Sequence, residues 1–111
     1  MVFIESRPFT RRLIALAGDA AANVLREMQG DLLRDPERGA VVPGLGGIRK
    51  ARLANPARGK GKRGGYRYMY LYLMHRSHIH LLLLLDKDEQ EDVTPEQRKA
   101  LRQMVREPKG L

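Results

Sequence analysis

The stretch from Tyr66 to Leu85 constrains this chain more than any other. All four tyrosines fall at even positions, Tyr66, Tyr68, Tyr70 and Tyr72, while Arg67, Met69, Leu71 and Leu73 take the odd ones. A period of two is the signature of a β-strand, whose side chains alternate between sheet faces. His75-Arg76-Ser77 then predicts a hairpin turn, and His78 to Leu85 becomes apolar at odd and even positions alike. A strand apolar on both faces is an interior strand covered on both sides. The rest of the chain must therefore supply two covering layers.

The flanking segments have the right patterns for that task. Val2-Phe3-Ile4 is β-prone and stops at Ser6-Arg7-Pro8. Proline is tolerated in the first helical turn, and Phe9, Leu13 and Leu16 follow at helical spacing. Gly18-Asp19 interrupts that helix, with Asp19 as the expected N-cap of a second one. The stripe Ala21, Val24, Leu25, Met28 and Leu32 runs on to Asp35-Pro36. Pro36 to Gly47 reads as loop, Ile48 to Asn55 as an alternating strand, and Asn55 to Gly65 as a Gly/Lys/Arg loop. After an acidic loop from Asp86 to Asp92, Thr94-Pro95-Glu96-Gln97 has the form of a capping box, with Leu101, Met104 and Val105 continuing the helix to Glu107-Pro108. The order β, α, α, β, β, β, α predicts one α+β domain spanning residues 1–111. Its sheet is small, twisted and mainly antiparallel, with an N-terminal helical hairpin on one face and a C-terminal helix.

Charge narrows the function. The formal net charge is +8, yet residues 38–85 contain no acidic residue and carry +10, so the remainder sums to −2. The same segment holds eight of the eleven glycines. A surplus confined to one glycine-rich segment reads as a footprint for a polyanion. The chain has no cysteine, which excludes disulfides and thiolate metal sites. Its longest apolar run, Leu81 to Leu85, is far short of a membrane span. Met1 to Glu5 meets a charge before a signal-peptide core can form. A cytoplasmic protein with no membrane partner is expected.

The glycines do not build a nucleotide-hydrolysing loop. Gly44-x-Gly46-Gly47 is followed by Arg49 where a dinucleotide fingerprint needs its third glycine, and no Ser or Thr follows a Gly-Lys pair near Gly59 to Gly64. They suit a cradle for a phosphodiester backbone, with Lys60, Lys62 and Arg63 as its cations. Lys50 and Arg52, on one strand face, lie about 7 Å apart, near the spacing of phosphates in an extended single strand. The tyrosines serve either as packing, with their hydroxyls at the rim, or as bases' stacking partners and proton donors. His75, His78 and His80 read as half-exposed strand residues, with a general base among them as the sharper alternative. The acidic loop lacks the glycine of a calcium loop and is expected to cap the last helix or to pair with the basic face.

Gly44-x-Gly46-Gly47-Ile48-Arg49-Lys50-x-Arg52, followed by Gly59-Lys60-Gly61-Lys62-Arg63-Gly64-Gly65-x-Arg67-x-x-Tyr70, resembles the HigB-like branch of the RelE/ParE superfamily of bacterial type II toxins. Asp35-Pro36, Lys87 and Glu96-Gln97-Arg98-Lys99 match the flanks, so the resemblance spans nearly the whole chain. It implies a toxin that enters the ribosomal A site and cuts mRNA without a metal or other cofactor. It also implies a cognate antitoxin, expected to be of the helix-turn-helix type. In such cleavage the substrate's own 2′-OH attacks the phosphate. The protein takes that proton, stabilises the extra charge and protonates the leaving 5′-oxygen. The resemblance places Lys50, Arg52, Lys60, Lys62, Arg67, Tyr70 and Lys87 near the scissile phosphate. Lys60 or Lys62 would stabilise charge or act as base, Arg67 would hold the phosphate, and Tyr70 would serve as base or proton relay. Arg49, Arg58 and Arg63 are added as RNA-binding cations. Leu85 stands where many relatives carry Tyr. Arg67 and Tyr70 have opposite parity, so either a bulge near Gly64-Gly65 intervenes or one of them is structural. Two other readings fit the same segment: a gyrase poison of the ParE type, and a non-catalytic ribosome- or nucleic-acid-binding protein.

Overall fold

A computed structural model describes residues 1–53, 65–86, 90 and 92–110. Strands β1 (Val2–Glu5), β2 (Ala40–Val41), β3 (Arg49–Arg52), β4 (Tyr66–Leu73) and β5 (His78–Asp86) form one sheet of order β1-β5-β4-β3-β2. β1 runs parallel to β5 and every other pair is antiparallel. Helices α1 (Arg7–Ala17) and α2 (Ala21–Arg34) precede β2, and α3 (Pro95–Gly110) follows β5. The expected α+β fold, helical hairpin and terminal helix are all present.

The alternation of β4 divides the core. Tyr66, Tyr68 and Tyr70 join Phe9, Leu13, Val24, Met28 and Leu32 under the helical hairpin. Met69, Leu71 and Leu73 join Leu45, Ile48, Leu101 and Val105 under α3. Burying each large apolar side chain contributes about 1.5–3 kcal/mol, so both layers matter. β5 serves both, with Ile79, Leu81 and Leu84 on the hairpin side and Leu82, Leu83 and Leu85 on the α3 side. Two consecutive leucines face one way because the β4–β5 register steps from Met69↔Leu83 to Tyr70↔Leu81, leaving Leu82 without an opposite residue. That bulge is on β5, not near Gly64-Gly65, and β4 keeps its parity throughout.

Local chemistry sets the helix starts. The Ser6 hydroxyl accepts from the Phe9 N–H at 3.1 Å and donates to the Leu82 carbonyl at 2.9 Å, fixing α1 beside β5. At α3 the capping box forms in full: the Gln97 N–H donates to Thr94 Oγ1 (3.1 Å) and the Thr94 N–H to Gln97 Oε1 (3.0 Å). Three expectations need correction. Asp19 does not cap α2; it lies in a 3-10 turn, Gly18–Ala20, and Ala20 takes the cap position. β2 falls inside the expected loop, and β3 is shorter than the alternation from Ile48 to Asn55 suggested. No helix among the described residues is long and apolar enough to cross a membrane.

Candidate nucleic-acid interface

Antiparallel pairing of β3 with β4 sets Arg52 directly opposite Arg67, and Lys50 opposite Met69. Opposed residues share a sheet face, and Met69 belongs to the α3-side core. Lys50, Arg52 and Arg67 therefore line the α3 side of the sheet. Like charges directly opposite destabilise a strand pair by a few tenths of a kcal/mol to about 1 kcal/mol, which an anion bound between them would relieve. Arg67 is half-buried, and its Nε is shielded from solvent with no hydrogen-bond partner among the described residues. Leu53 and Tyr66 close the mouth of the β3–β4 connection through a Leu53 N–H to Tyr66 carbonyl bond of 3.0 Å. The basic connection thus starts and ends beside the Arg52–Arg67 pair. Arg58, Lys60, Lys62, Arg63 and Lys87 lie outside the described residues.

The start of α3 meets the other end of this face. Lys50 Nζ is 3.6 Å from Asp92 Oδ1. Asp92 Oδ1 also accepts the Val93 N–H at 2.8 Å. That bond first of all, against an opposing effect of burial and with help from Lys50 and then Arg98, holds the Asp92 carboxyl below its ordinary value. Arg98 Nη2 donates to the Pro43 carbonyl at 2.7 Å. The acidic loop thus pairs with the basic face, as expected. Arg98 had signalled itself only as part of a motif flank.

Tyr70 stands on the opposite side of the sheet and is fully buried. Its hydroxyl donates to the Pro36 carbonyl (2.8 Å) and accepts from the Gly39 N–H (3.0 Å). Burial, opposed by the Gly39 bond and by Arg49 and Arg38, raises its pKa. The hydroxyl is tied into the loop on the hairpin side of the sheet, the face opposite to Arg67. Arg49 shares that face: its Nη1 donates to the carbonyls of Glu37 (3.1 Å) and Gly39 (2.7 Å). It is a loop anchor rather than part of the Lys50–Arg52–Arg67 face. Tyr68 also looks inward, bonded by Arg38, which bridges to buried Asp31 at 2.9 Å. Burial, partly offset by Arg38, pushes Tyr68 up to about 12. Tyr66 donates to the Leu16 carbonyl at 3.1 Å. Tyr66, Tyr68 and Tyr70 pack under the hairpin with their hydroxyls bonded to it and to its loops.

Leu85 is fully buried under α3. His78 and His80 share the α3 side, with ring centroids 6.2 Å apart. They pair with Leu73 and Leu71, so along β4 they lie about 13 Å or more from the Arg67 position.

No family model matches the sequence. Solved structures do match it. A free-state mutant of the Escherichia coli toxin RelE is 12% identical over 94% of this chain and 96% of its own, with a TM-score of 0.62. A chain of the RelBE2 toxin–antitoxin complex of Mycobacterium tuberculosis is 25% identical over 77% of this chain and 95% of its own, at 0.59. One from the intact E. coli RelBE toxin–antitoxin complex is 14% identical over 77% and 94%, at 0.55. The fold is RelE-like. This supports the RelE/ParE superfamily that the motifs resemble and does not single out the HigB-like branch. In the RelE-like frame, the three described cations occupy the sheet face opposite the helical hairpin.

Proposed function

We propose that this chain is the cytoplasmic toxin of a type II toxin–antitoxin system, of the HigB-like branch, and acts as a metal-independent mRNA endoribonuclease in the ribosomal A site. The observation that carries the reading is the cross-strand Arg52–Arg67 pair with Lys50 on the same face, in a fold shared with RelE toxins. Arg67 and Arg52 would hold the scissile phosphate between them. Their charge, with that of Lys60 and Lys62, would stabilise the dianionic phosphorane formed as the 2′-oxygen attacks phosphorus and the 5′-oxygen leaves. Fixed cations in a water-poor site are each worth a few kcal/mol in the transition state. Lys60 or Lys62 would take the 2′ proton, and Arg58, Arg63 and Lys87 would bind the flanking backbone. Neutralisation would come from a cognate antitoxin, as the complexed neighbours suggest.

Induction in growing cells with mapping of mRNA 5′ ends tests this. Wild type should arrest growth and produce new codon-associated ends. Arg52→Ala/Arg67→Ala and Lys60→Ala/Lys62→Ala should produce neither. Arrest without new ends would replace the nuclease with a gyrase poison of the ParE type.

A further inference from the structure

We propose that Lys50 and Arg98 form a second phosphate subsite, which the chain's own Asp92 carboxylate occupies in the free protein and which an RNA strand enters by displacing it. The inference rests on the RNA-binding reading above and adds a residue and a regulatory contact to it. Three features carry it. First, Lys50 from β3 and Arg98 from α3 line one pocket of about 300 Å³ together with Asp92, over a wall of Val42 and Pro43. Two cations from distant parts of the chain line it beside a single carboxylate, which Lys50 approaches to 3.6 Å, a set of groups that also fits a phosphate. Secondly, Arg98 is held in place. Its bond to the Pro43 carbonyl uses one of five guanidinium donors, and no other hydrogen bond of its side chain is formed among the described residues. Thirdly, the subsite continues the cation row. Lys50 is two residues along β3 from Arg52, about 7 Å, so a strand with one phosphate between Arg52 and Arg67 brings a neighbouring phosphate to Lys50.

The carboxylate is suited to leaving. The Asp92 side chain is 69% exposed, and the Lys50–Asp92 separation of 3.6 Å is long for an ion pair and open to solvent screening. Its bond to the Val93 N–H keeps it ionised near the subsite without burying it. The rival reading makes the contact a simple tie between α3 and β3.

Purified protein and a labelled single-stranded RNA, followed by anisotropy at about 0.1 M KCl, separate the two. One phosphate contact on a single strand is worth about 5-fold in affinity at that salt. Asp92→Asn should tighten binding by up to that factor at unchanged melting temperature, and Arg98→Gln should weaken it by a similar factor and abolish the gain in the double variant. Unchanged or weaker binding by Asp92→Asn, with a lower melting temperature, would make the contact a structural tie and overturn the subsite. Tightening by Asp92→Asn without weakening by Arg98→Gln would reduce it to lost repulsion, and also overturn it. Both outcomes leave RNA binding at Arg52 and Arg67 standing. Absence of any salt-sensitive RNA binding by wild type would remove that reading and the subsite together. Inorganic phosphate in the millimolar range, at constant ionic strength, is the free-ion probe. Displacement of RNA from wild type by it would mean that the subsite takes phosphate without a strand.

Discussion

Tyr70 shows how one hydroxyl can tie a loop to the back of a strand. Its two bonds satisfy the Pro36 carbonyl and the Gly39 N–H in the connection between α2 and β2. That connection lies hard against β3: a Cβ added at Gly39 would meet the Lys50 carbonyl oxygen at 2.9 Å and the Tyr70 ring at 3.0 Å. Tyr70 thus acts on the cationic face from behind, through the backbone of β3. Tyr70→Phe removes the hydroxyl and strands a buried donor and acceptor, an expected loss of about 1–3 kcal/mol in urea unfolding. A hydroxyl that relayed a proton would cost about 100-fold or more in cleavage rate on removal. Cleavage by Tyr70→Phe close to wild type, measured well below its melting temperature, is the expected result, and a 100-fold loss at full foldedness would support the relay.

Among the elements, the legible ones were those whose pattern extends over several residues. The tyrosine alternation correctly placed Arg67 apart from Tyr70, and Thr94-Pro95-Glu96-Gln97 announced α3 because a capping box is a purely local device. β2 escaped because two exposed residues, Ala40 and Val41, carry no period. Parity also told which side Arg49 faces without telling that Glu37 and Gly39 carbonyls wait there. Conversely, Arg98 reaches Pro43 across the whole sequence between them, a contact no local pattern encodes. β5 carries an element-level prediction of its own. His80 sits opposite Ile4 on β1 and Leu71 on β4, beside His78, and its pKa is lowered by burial first, then by His78 and Arg76. The folded state therefore binds this proton less readily than the unfolded chain. Stability should be full above about pH 6.5, fall as the pH drops towards the lower folded value, and level off beneath it. Melting temperatures from pH 7.5 to 5 should slope less steeply for His80→Gln than for wild type. Parallel slopes would show that His80 contributes nothing to the acid limb.

At the scale of the molecule, the fold sorts its chemistry by sheet face. Tyrosine hydroxyls and the Asp31–Arg38 pair close the hairpin side, while Lys50, Arg52 and Arg67 line the other. The excess of +10 in residues 38–85 is thus partly internal, since Arg38 is committed to Asp31 of α2 and Arg49 to the loop carbonyls beneath the tyrosines. What remains for a polyanion is a located row rather than a diffuse field, and salt dependence can tell the two apart. If about five phosphates of a single strand are neutralised, the logarithmic salt slope is about −3.5, and raising KCl from 50 to 200 mM should weaken binding by about 100-fold. Arg52→Ala/Arg67→Ala removes the one phosphate held between them, so its slope should fall to about −2.8 and the same salt step should cost about 50-fold. Arg26, on α2, bonds Asn23 at 3.0 Å on the hairpin side, and Arg26→Ala should leave the slope where it was. An equal change in slope from Arg26→Ala, charge for charge, would mean that the protein attracts RNA by net charge alone, and the Arg52–Arg67 row would lose its claim to be the place where the strand lies.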